Sequence, residues 1–197
     1  MNLPNKLTVL RIVIVPFYVF FLLMPSIPHH YLIAVLLFGA AAYTDHLDGT
    51  IARKRNMITD FGKFADPLAD KIMVLSALSC FVQLGLTNAV VLILIITREF
   101  MVTSLRLVAV EKGKVVAANA WGKAKTISQI AAVLLILVMQ YIVELNTMGC
   151  ISISNMDTVS FAFDIANQAL MWIVVLFTWI SGAIYIWDNR EFIKNAK

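Results

Sequence analysis

The chain alternates long apolar segments with short polar ones. Six of the apolar segments are long enough for a membrane-spanning helix, which needs about 20 residues and satisfies its own backbone hydrogen bonds in lipid. The predicted spans are 7–24, 31–53, 61–84, 88–111, 119–143 and 167–187. Turn-forming residues separate them, and the sequence contains no internal repeat or low-complexity segment. The pattern predicts one all-α integral membrane domain over residues 1–197.

Composition supports the same class. Of the 197 residues, 60% are hydrophobic, which is too many for a soluble globular domain. The two cysteines, Cys80 and Cys150, have no metal-ligand spacing, so we expect neither a zinc site nor a redox motif. A net charge of +4 matters less than its distribution, and we expect no nucleic-acid partner.

The basic residues predict the orientation in the membrane. The connections 25–30, 85–87 and 144–166 contain no Lys or Arg. Eleven basic residues gather on the other side: Lys6, Arg11, Lys54, Arg55, Lys63, Lys112, Lys114, Lys123, Arg190, Lys194 and Lys197. Positive loops stay in the cytoplasm, so we expect a multi-pass membrane protein with both termini on the cytoplasmic side. The long 144–166 connection has room for a short interfacial helix.

Four carboxylates interrupt the second and third spans. At 1.5 Å per residue, Asp45 and Asp70 each lie about 21 Å from the outer end of their helices, and Asp48 and Asp66 lie about 26 to 27 Å from it. Asp45 and Asp48 are three residues apart and Asp66 and Asp70 are four apart, so each pair shares a helix face. The spacing therefore predicts four carboxylates at matched heights, at the cytoplasmic side of the membrane.

Carboxylates this close to hydrocarbon need compensation, because they repel one another and lose hydration. Divalent cations would provide it, and oxygen ligands favour Mg²⁺ or Mn²⁺, as one ion or two. An alternative pairs the carboxylates with Arg53, Lys63 and Lys71 at a solvated helix mouth. Small residues in the same stretch, Gly49, Ala52 and Gly62, leave backbone open to a ligand.

The same residues form a known signature. The pattern D-x-x-D-G-x-x-A-R, eight residues, G-x-x-x-D-x-x-x-D is that of the CDP-alcohol phosphatidyltransferases, and the chain resembles this family. All eight fixed positions match: Asp45, Asp48, Gly49, Ala52, Arg53, Gly62, Asp66 and Asp70. The tracts 2–17 and 97–129 also resemble family members that use glycerol 3-phosphate as acceptor.

The resemblance implies a site and an activity. Asp45, Asp48, Asp66 and Asp70 would bind the metal, which we expect to be two Mg²⁺ or Mn²⁺ ions, and Asp70 would also be the general base. The residues implied for binding CDP-diacylglycerol are Asp48, Gly49, Ala52, Arg53, Gly62 and Asp66. Its phosphatidyl group would pass to an alcohol with release of CMP, while the acyl chains stay in the membrane lipid. The family also suggests a homodimer.

The remaining basic residues bear on the acceptor. Arg98 lies about 15 Å down the fourth span, and Arg106 on that span and Lys125 on the fifth lie about 27 Å down theirs. Lys123 and Lys125 point in nearly opposite directions on a helix, so at most one faces inward. The predicted pocket for a phosphorylated acceptor, such as glycerol 3-phosphate, consists of Arg98, Arg106, Lys123 or Lys125, and a hydroxyl donor, Thr97 or Thr126. Alternatively, Arg98 pairs with Glu99 and the other cations extend to the interface.

Two other functions compete with this interpretation. A sibling enzyme of the family would use a different acceptor, either inositol phosphate or, as in a cardiolipin synthase, phosphatidylglycerol. An ion-coupled transporter would also carry carboxylates inside the membrane. Transporters commonly contain repeated halves around a midplane site, and this chain shows neither feature.

Overall fold

A computed structural model of the chain describes residues 2–54, 60–111 and 120–190. These residues form six α-helices and no strand, which confirms the predicted all-α class. The helices are α1 (Leu3–Leu22), α2 (His30–Lys54), α3 (Asp60–Gln83), α4 (Ala89–Glu111), α5 (Ala120–Thr147) and α6 (Met156–Asp188).

Three of the described helices are long and apolar enough to cross a membrane: Asn5–Leu22, Ala120–Thr147 and Met156–Asp188. The second helix contributes a shorter apolar segment, His30–Asp45. With 24 and 23 residues, α3 and α4 have sufficient length, but charged side chains interrupt their apolar character. Those side chains include Asp66, Asp70, Arg98 and Arg106, so the residues expected to carry chemistry are also the ones that weaken the hydropathy signal.

The first helix lies between the second and third. It packs extensively on both, whereas α2 and α3 make few contacts with each other. The fifth helix packs on α6 and α2, and α4 packs mainly on α6. Side chains from all six helices form one apolar core, whose members include Tyr18, Phe38, Phe81, Ile95, Ile136 and Met171.

The last helix begins earlier than its predicted span, 167–187. It starts at Met156, and α5 continues to Thr147, so the connection is only 148–155. The interfacial helix expected within 144–166 is instead the beginning of α6. Asp157 lies in the first turn, where a negative charge interacts favourably with the helix dipole. Gly149 adopts a positive φ of 75° just after α5, a conformation that ends helices readily.

A buried carboxylate joins two helices at the end of the bundle that holds the α1–α2 turn, called here the distal end. Glu144 of α5 accepts hydrogen bonds from the backbone N–H groups of His30 (3.0 Å) and Tyr31 (3.2 Å) at the start of α2. These donors have no partner within their own helix, so Glu144 satisfies them. A cavity of about 430 Å³ lies beside this contact, away from the aspartates.

Candidate active site

The first helix has a polar face in its N-terminal half. Asn5, Thr8 and Arg11 are buried and follow one another at intervals of three residues, so they lie on one side of the helix. Farther along, the same side becomes apolar with Val15 and Tyr18. Because α1 lies between α2 and α3, its polar face meets the aspartates that those helices carry.

Arg11 joins carboxylates from two helices. Its Nη1 lies 2.9 Å from Oδ1 of Asp45 on α2, and the same nitrogen contacts Oδ1 of Asp70 on α3. Arg11 is 1% exposed, whereas the two carboxylates are 40% and 48% exposed. Asp45 and Asp70 therefore converge, in agreement with their calculated heights, and each still has a face open to a ligand.

Asp66 receives a second contact from α1. The Thr8 hydroxyl donates a hydrogen bond to Oδ1 of Asp66, one turn of α3 before Asp70. Gly62, one turn earlier again, is buried. The aspartates of α3 therefore line up along α1, and it is α1 that brings them to the helix carrying Asp45.

Four of the predicted site residues, Asp48, Gly49, Ala52 and Arg53, belong to the last turns of α2. Their side chains lie outside the described residues, so their assigned contacts with metal and CDP-lipid stay predictions.

The donor chemistry at this end of the bundle fits a hard cation. Asp45, Asp66 and Asp70 offer only carboxylate oxygens, and two of them converge on one positively charged nitrogen. Oxygen donors of this kind suit Mg²⁺ or Mn²⁺ better than Zn²⁺. Among the described side chains no three such groups are close enough to form a complete metal site, so a site would also need the predicted fourth ligand, Asp48.

A cluster of cations lies next to the aspartates. Its members are Lys71, Arg98, Arg106 and Lys125, called here the cation cluster. Lys71 directly follows Asp70 in α3 and donates a hydrogen bond to the Thr103 hydroxyl of α4. Lys71 is close enough to Arg106 and Lys125 to interact electrostatically with both, and Arg98 interacts with both as well. Four like charges so close together form a strong site for an anion.

Glu99 holds two members of the cation cluster together. Its Oε1 lies 3.3 Å from Nη1 of Arg98 and also contacts Nζ of Lys125. Arg98 and Lys125 are both buried, at 6% and 7% exposure. The pairing of Arg98 with Glu99, considered from sequence as an alternative to a pocket, is therefore present together with the clustering of cations.

The sixth helix supports Arg98 from the other side. Nη2 of Arg98 donates a hydrogen bond of 2.8 Å to the buried Ser181 hydroxyl. Its alkyl chain lies on Gly182, where an added Cβ would come within 3.1 Å of Cγ and 3.4 Å of Nε. Glycine at this position thus allows the arginine to pack directly against the backbone of α6.

The other residues predicted for the acceptor pocket are exposed. Arg106 is exposed, and its Cζ lies 5.8 Å from the centre of the Tyr185 ring. Lys123 and Thr126 are also exposed, and the Thr126 hydroxyl donates to the Gly122 carbonyl of its own helix. Of the two lysines left open by the sequence, Lys125 is the one that faces inward.

Sequence reasoning missed the contribution of α1. It treated Arg11 as one of the basic residues that set orientation, whereas the structure buries Arg11 between two aspartates. A signal was present, because Asn5, Thr8 and Arg11 recur every three residues within a largely apolar helix. The pairing of Ser181 and Gly182 with Arg98 had no comparable signal, since small residues in an apolar span have many packing roles.

Comparisons with known proteins identify similar sequences. Residues 1–180 match the family model described as CDP-alcohol phosphatidyltransferase. The chain is 44% identical to the CDP-diacylglycerol–glycerol-3-phosphate 3-phosphatidyltransferase of Bacillus subtilis, over 99% of this chain and 98% of that protein. A protein of the same name from Rickettsia bellii is 33% identical over 93% of both chains. Another from Haemophilus influenzae is 40% identical over 66% of this chain and 72% of its own.

Proposed function

The chain belongs to the CDP-alcohol phosphatidyltransferase family, and on that premise we propose that it transfers the phosphatidyl group of CDP-diacylglycerol to glycerol 3-phosphate. The products are phosphatidylglycerophosphate and CMP. The names of the relatives from B. subtilis, R. bellii and H. influenzae support both substrates. The chain is thus a membrane-embedded transferase of phospholipid biosynthesis.

The observation that carries the choice of acceptor is the cation cluster beside Asp70. Lys71 directly follows Asp70 in the chain and also interacts with Arg106 and Lys125. A phosphorylated alcohol bound to these cations would have its free hydroxyl close to the carboxylates. An acceptor without phosphate would leave part of the cluster's positive charge uncompensated, because Glu99 is paired with only two of its members, so free serine or choline fits poorly.

The chemistry begins at Asp70, whose carboxylate is half exposed. Asp70 accepts the proton of the acceptor hydroxyl, and the hydroxyl oxygen attacks the β-phosphorus of the CDP-lipid. The bond between that phosphorus and the bridging oxygen breaks, and CMP leaves with the electron pair. The Arg11 guanidinium orients Asp70 relative to Asp45, so the base stays fixed with respect to the other carboxylates.

Divalent cations, Mg²⁺ or Mn²⁺ and two in number, belong to the same proposal. Asp45, Asp48, Asp66 and Asp70 would hold them, and when bound they would neutralise the diphosphate and stabilise the departing CMP. The oxygen-only donor set supports this choice of ion. Gly49, Ala52, Arg53 and Gly62, together with Asp48 and Asp66, are proposed to bind the CDP-lipid on the strength of the family signature.

The proposed location follows from the substrates and the charge pattern. The lipid substrate resides in the bilayer, and glycerol 3-phosphate is polar, so the site must be open to both membrane and water. The concentration of basic residues at the aspartate end supports a cytoplasmic orientation in the bacterial plasma membrane. A homodimer is proposed from the family resemblance alone, and cross-linking in membranes would test it.

A CMP-release assay tests the proposed function. Purified protein is incubated with CDP-diacylglycerol, divalent metal and one acceptor at a time: glycerol 3-phosphate, inositol phosphate or phosphatidylglycerol. We expect glycerol 3-phosphate to stimulate CMP release far more than the others. Stimulation by another acceptor alone would assign a sibling activity, and solute movement in vesicles without CMP release would favour a transporter.

A further inference from the structure

Glu99 occupies an unusual place in the cation cluster. Among the described residues, it is the carboxylate in direct contact with two of the four cations, Arg98 and Lys125. Its side chain is 14% exposed, and both partners are more deeply buried. Glu99 is one residue from Arg98 on α4, while Lys125 comes from α5, so the carboxylate fixes one helix relative to the other.

Glu99 compensates only part of the charge around it. Arg98 and Lys125 are two buried positive charges that share this one carboxylate, which leaves one of them in excess. Lys71, beside Asp70, and the exposed Arg106 add further positive charge next to them. Structural pairing alone would call for closer neutralisation, because buried charges without partners are costly. The surplus of cations indicates that the cluster is built to receive a further anion.

Arg98 is held from three sides. Glu99 contacts Nη1, Ser181 accepts a hydrogen bond from Nη2, and Gly182 lies under the alkyl chain. Its buried Nε has no hydrogen-bond partner among the described residues. The guanidinium therefore has a fixed orientation.

We infer that Glu99 is a positioning residue that aligns Arg98 and Lys125 for the phosphate of the acceptor, an inference that rests on the proposed function. Without the carboxylate, Arg98 and Lys125 repel each other, and a buried lysine turns away or loses its proton. Either response reduces the charge presented to a phosphate dianion. Glu99 thus acts through its partners on selectivity for phosphorylated acceptors and does not touch the reacting atoms.

The experiment compares Glu99→Gln and Glu99→Asp with the unaltered protein in the CMP-release assay. For Glu99→Gln we expect the KM for glycerol 3-phosphate to rise about tenfold, equivalent to about 1.4 kcal/mol. The kcat and the KM for CDP-diacylglycerol should change by less than about twofold, since a positioning role concerns acceptor binding alone. Glu99→Asp keeps the charge on a shorter side chain and should restore part of the affinity.

Glu144→Gln is the matched control. Glu144 is also a buried glutamate, but it binds backbone N–H groups at the distal end. We expect this variant to lose thermal stability while its KM for glycerol 3-phosphate stays unchanged. The inference is overturned if Glu99→Gln leaves that KM within about twofold, or raises the KM of both substrates equally.

A double-mutant cycle gives an independent measurement. If Glu99 acts through Lys125, the effects of Glu99→Gln and Lys125→Met on the KM for glycerol 3-phosphate are not additive. Additive effects would contradict the inference, because they would indicate that the two side chains act separately.

Titration calorimetry with inorganic phosphate separates this inference from the proposed function. If no CMP is released with glycerol 3-phosphate, the proposed function fails, but phosphate binding still reports on the cation cluster. We then expect the unaltered protein to bind phosphate about tenfold more tightly than Glu99→Gln. Equal affinities, or no binding by the unaltered protein, would overturn the inference.

Discussion

Arg11 and Asp70 form an ion pair across the interface of α1 and α3, although 59 positions separate them in the sequence. The same nitrogen of Arg11 also contacts Asp45 on α2. One side chain from the first helix therefore links both halves of the aspartate signature. The signature defines the spacing of the carboxylates along the chain, and Arg11 fixes their arrangement in space.

Replacing Arg11 tests this link. Arg11→Gln leaves Asp45 and Asp70 without their shared cation. We expect the free energy of unfolding to fall by about 2 kcal/mol, which is less than for a fully buried ion pair because both carboxylates are partly exposed. CMP release should fall at least about tenfold, since Asp70 is no longer held. Thermal unfolding in detergent and the CMP-release assay measure the two effects. Lys6→Gln, an exposed cation on the same helix, is the control. Unchanged activity in Arg11→Gln would contradict an orienting role.

Asp70→Asn removes the proposed base while keeping the size of the side chain. We expect CMP release to become undetectable, because an amide cannot accept the hydroxyl proton. Binding of CDP-diacylglycerol, measured by a sedimentation or filter assay, should be largely retained. Asp164→Asn, at an exposed position on α6, serves as the control and should turn over normally. Normal turnover in Asp70→Asn would eliminate it as the base.

Removal of divalent cations tests the proposed cofactor. Treatment with EDTA should abolish CMP release, and addition of Mg²⁺ or Mn²⁺ should restore it because the aspartates offer only oxygen ligands. EDTA already saturated with Mg²⁺ is the control for other effects of the chelator. Full activity in metal-free buffer would rule out the cofactor.

Arg106→Ala tests the exposed member of the cation cluster. We expect the KM for glycerol 3-phosphate to rise about tenfold with a smaller change in kcat, as for the loss of one charge-assisted contact to phosphate. Lys123→Ala should raise the same KM less, because Lys123 is exposed and Lys125 is the lysine that faces the cluster. Equal effects of the two substitutions would contradict this arrangement.

Gly182→Ala tests the support that α6 gives to Arg98. The new Cβ would lie 3.1 Å from Cγ of Arg98, so the arginine must shift. Alanine also favours the helix by about 1 kcal/mol, which offsets part of the packing cost. We therefore expect little change in thermal stability but a rise of about threefold in the KM for glycerol 3-phosphate.

Gly39→Ala provides the comparison for this substitution. Gly39 lies inside α2, and a Cβ there would meet nothing within 4 Å. It should be neutral or slightly stabilising without any effect on the KM. If Gly182→Ala behaves in the same way, Arg98 does not depend on its contact with α6.

The sequence predicted most of the helical architecture. Apolar segments located all six helices, and the bounds of α2, α3 and α4 agree with the predicted spans within one residue. The beginning of α6 was missed because polar residues within 144–166 suggested a loop. That segment is helical from Met156, since its partly buried side chains, Met156, Val159, Phe163 and Ala166, recur at the three- and four-residue intervals of a helix.

The site was predicted in part. The rise per residue of a helix predicted that Asp45 and Asp70 lie at the same depth, and in the structure both carboxylates contact the Arg11 guanidinium. The choice between Lys123 and Lys125 could not be made, because it depends on the rotation of α5 against α4, which the spacing of residues within one helix does not determine. Contacts between distant helices, such as Thr8 with Asp66, depend on packing in the same way.

The position of α1 has a consequence for how the protein is made. The contacts that gather Asp45, Asp66 and Asp70 come from α1, α2 and α3, which all leave the ribosome before α4. The carboxylates can therefore acquire their counter-charge from Arg11 before α4 has been synthesised. The acidic helices would then enter the bilayer with part of their charge compensated, and the acceptor pocket would be completed afterwards by α4, α5 and α6.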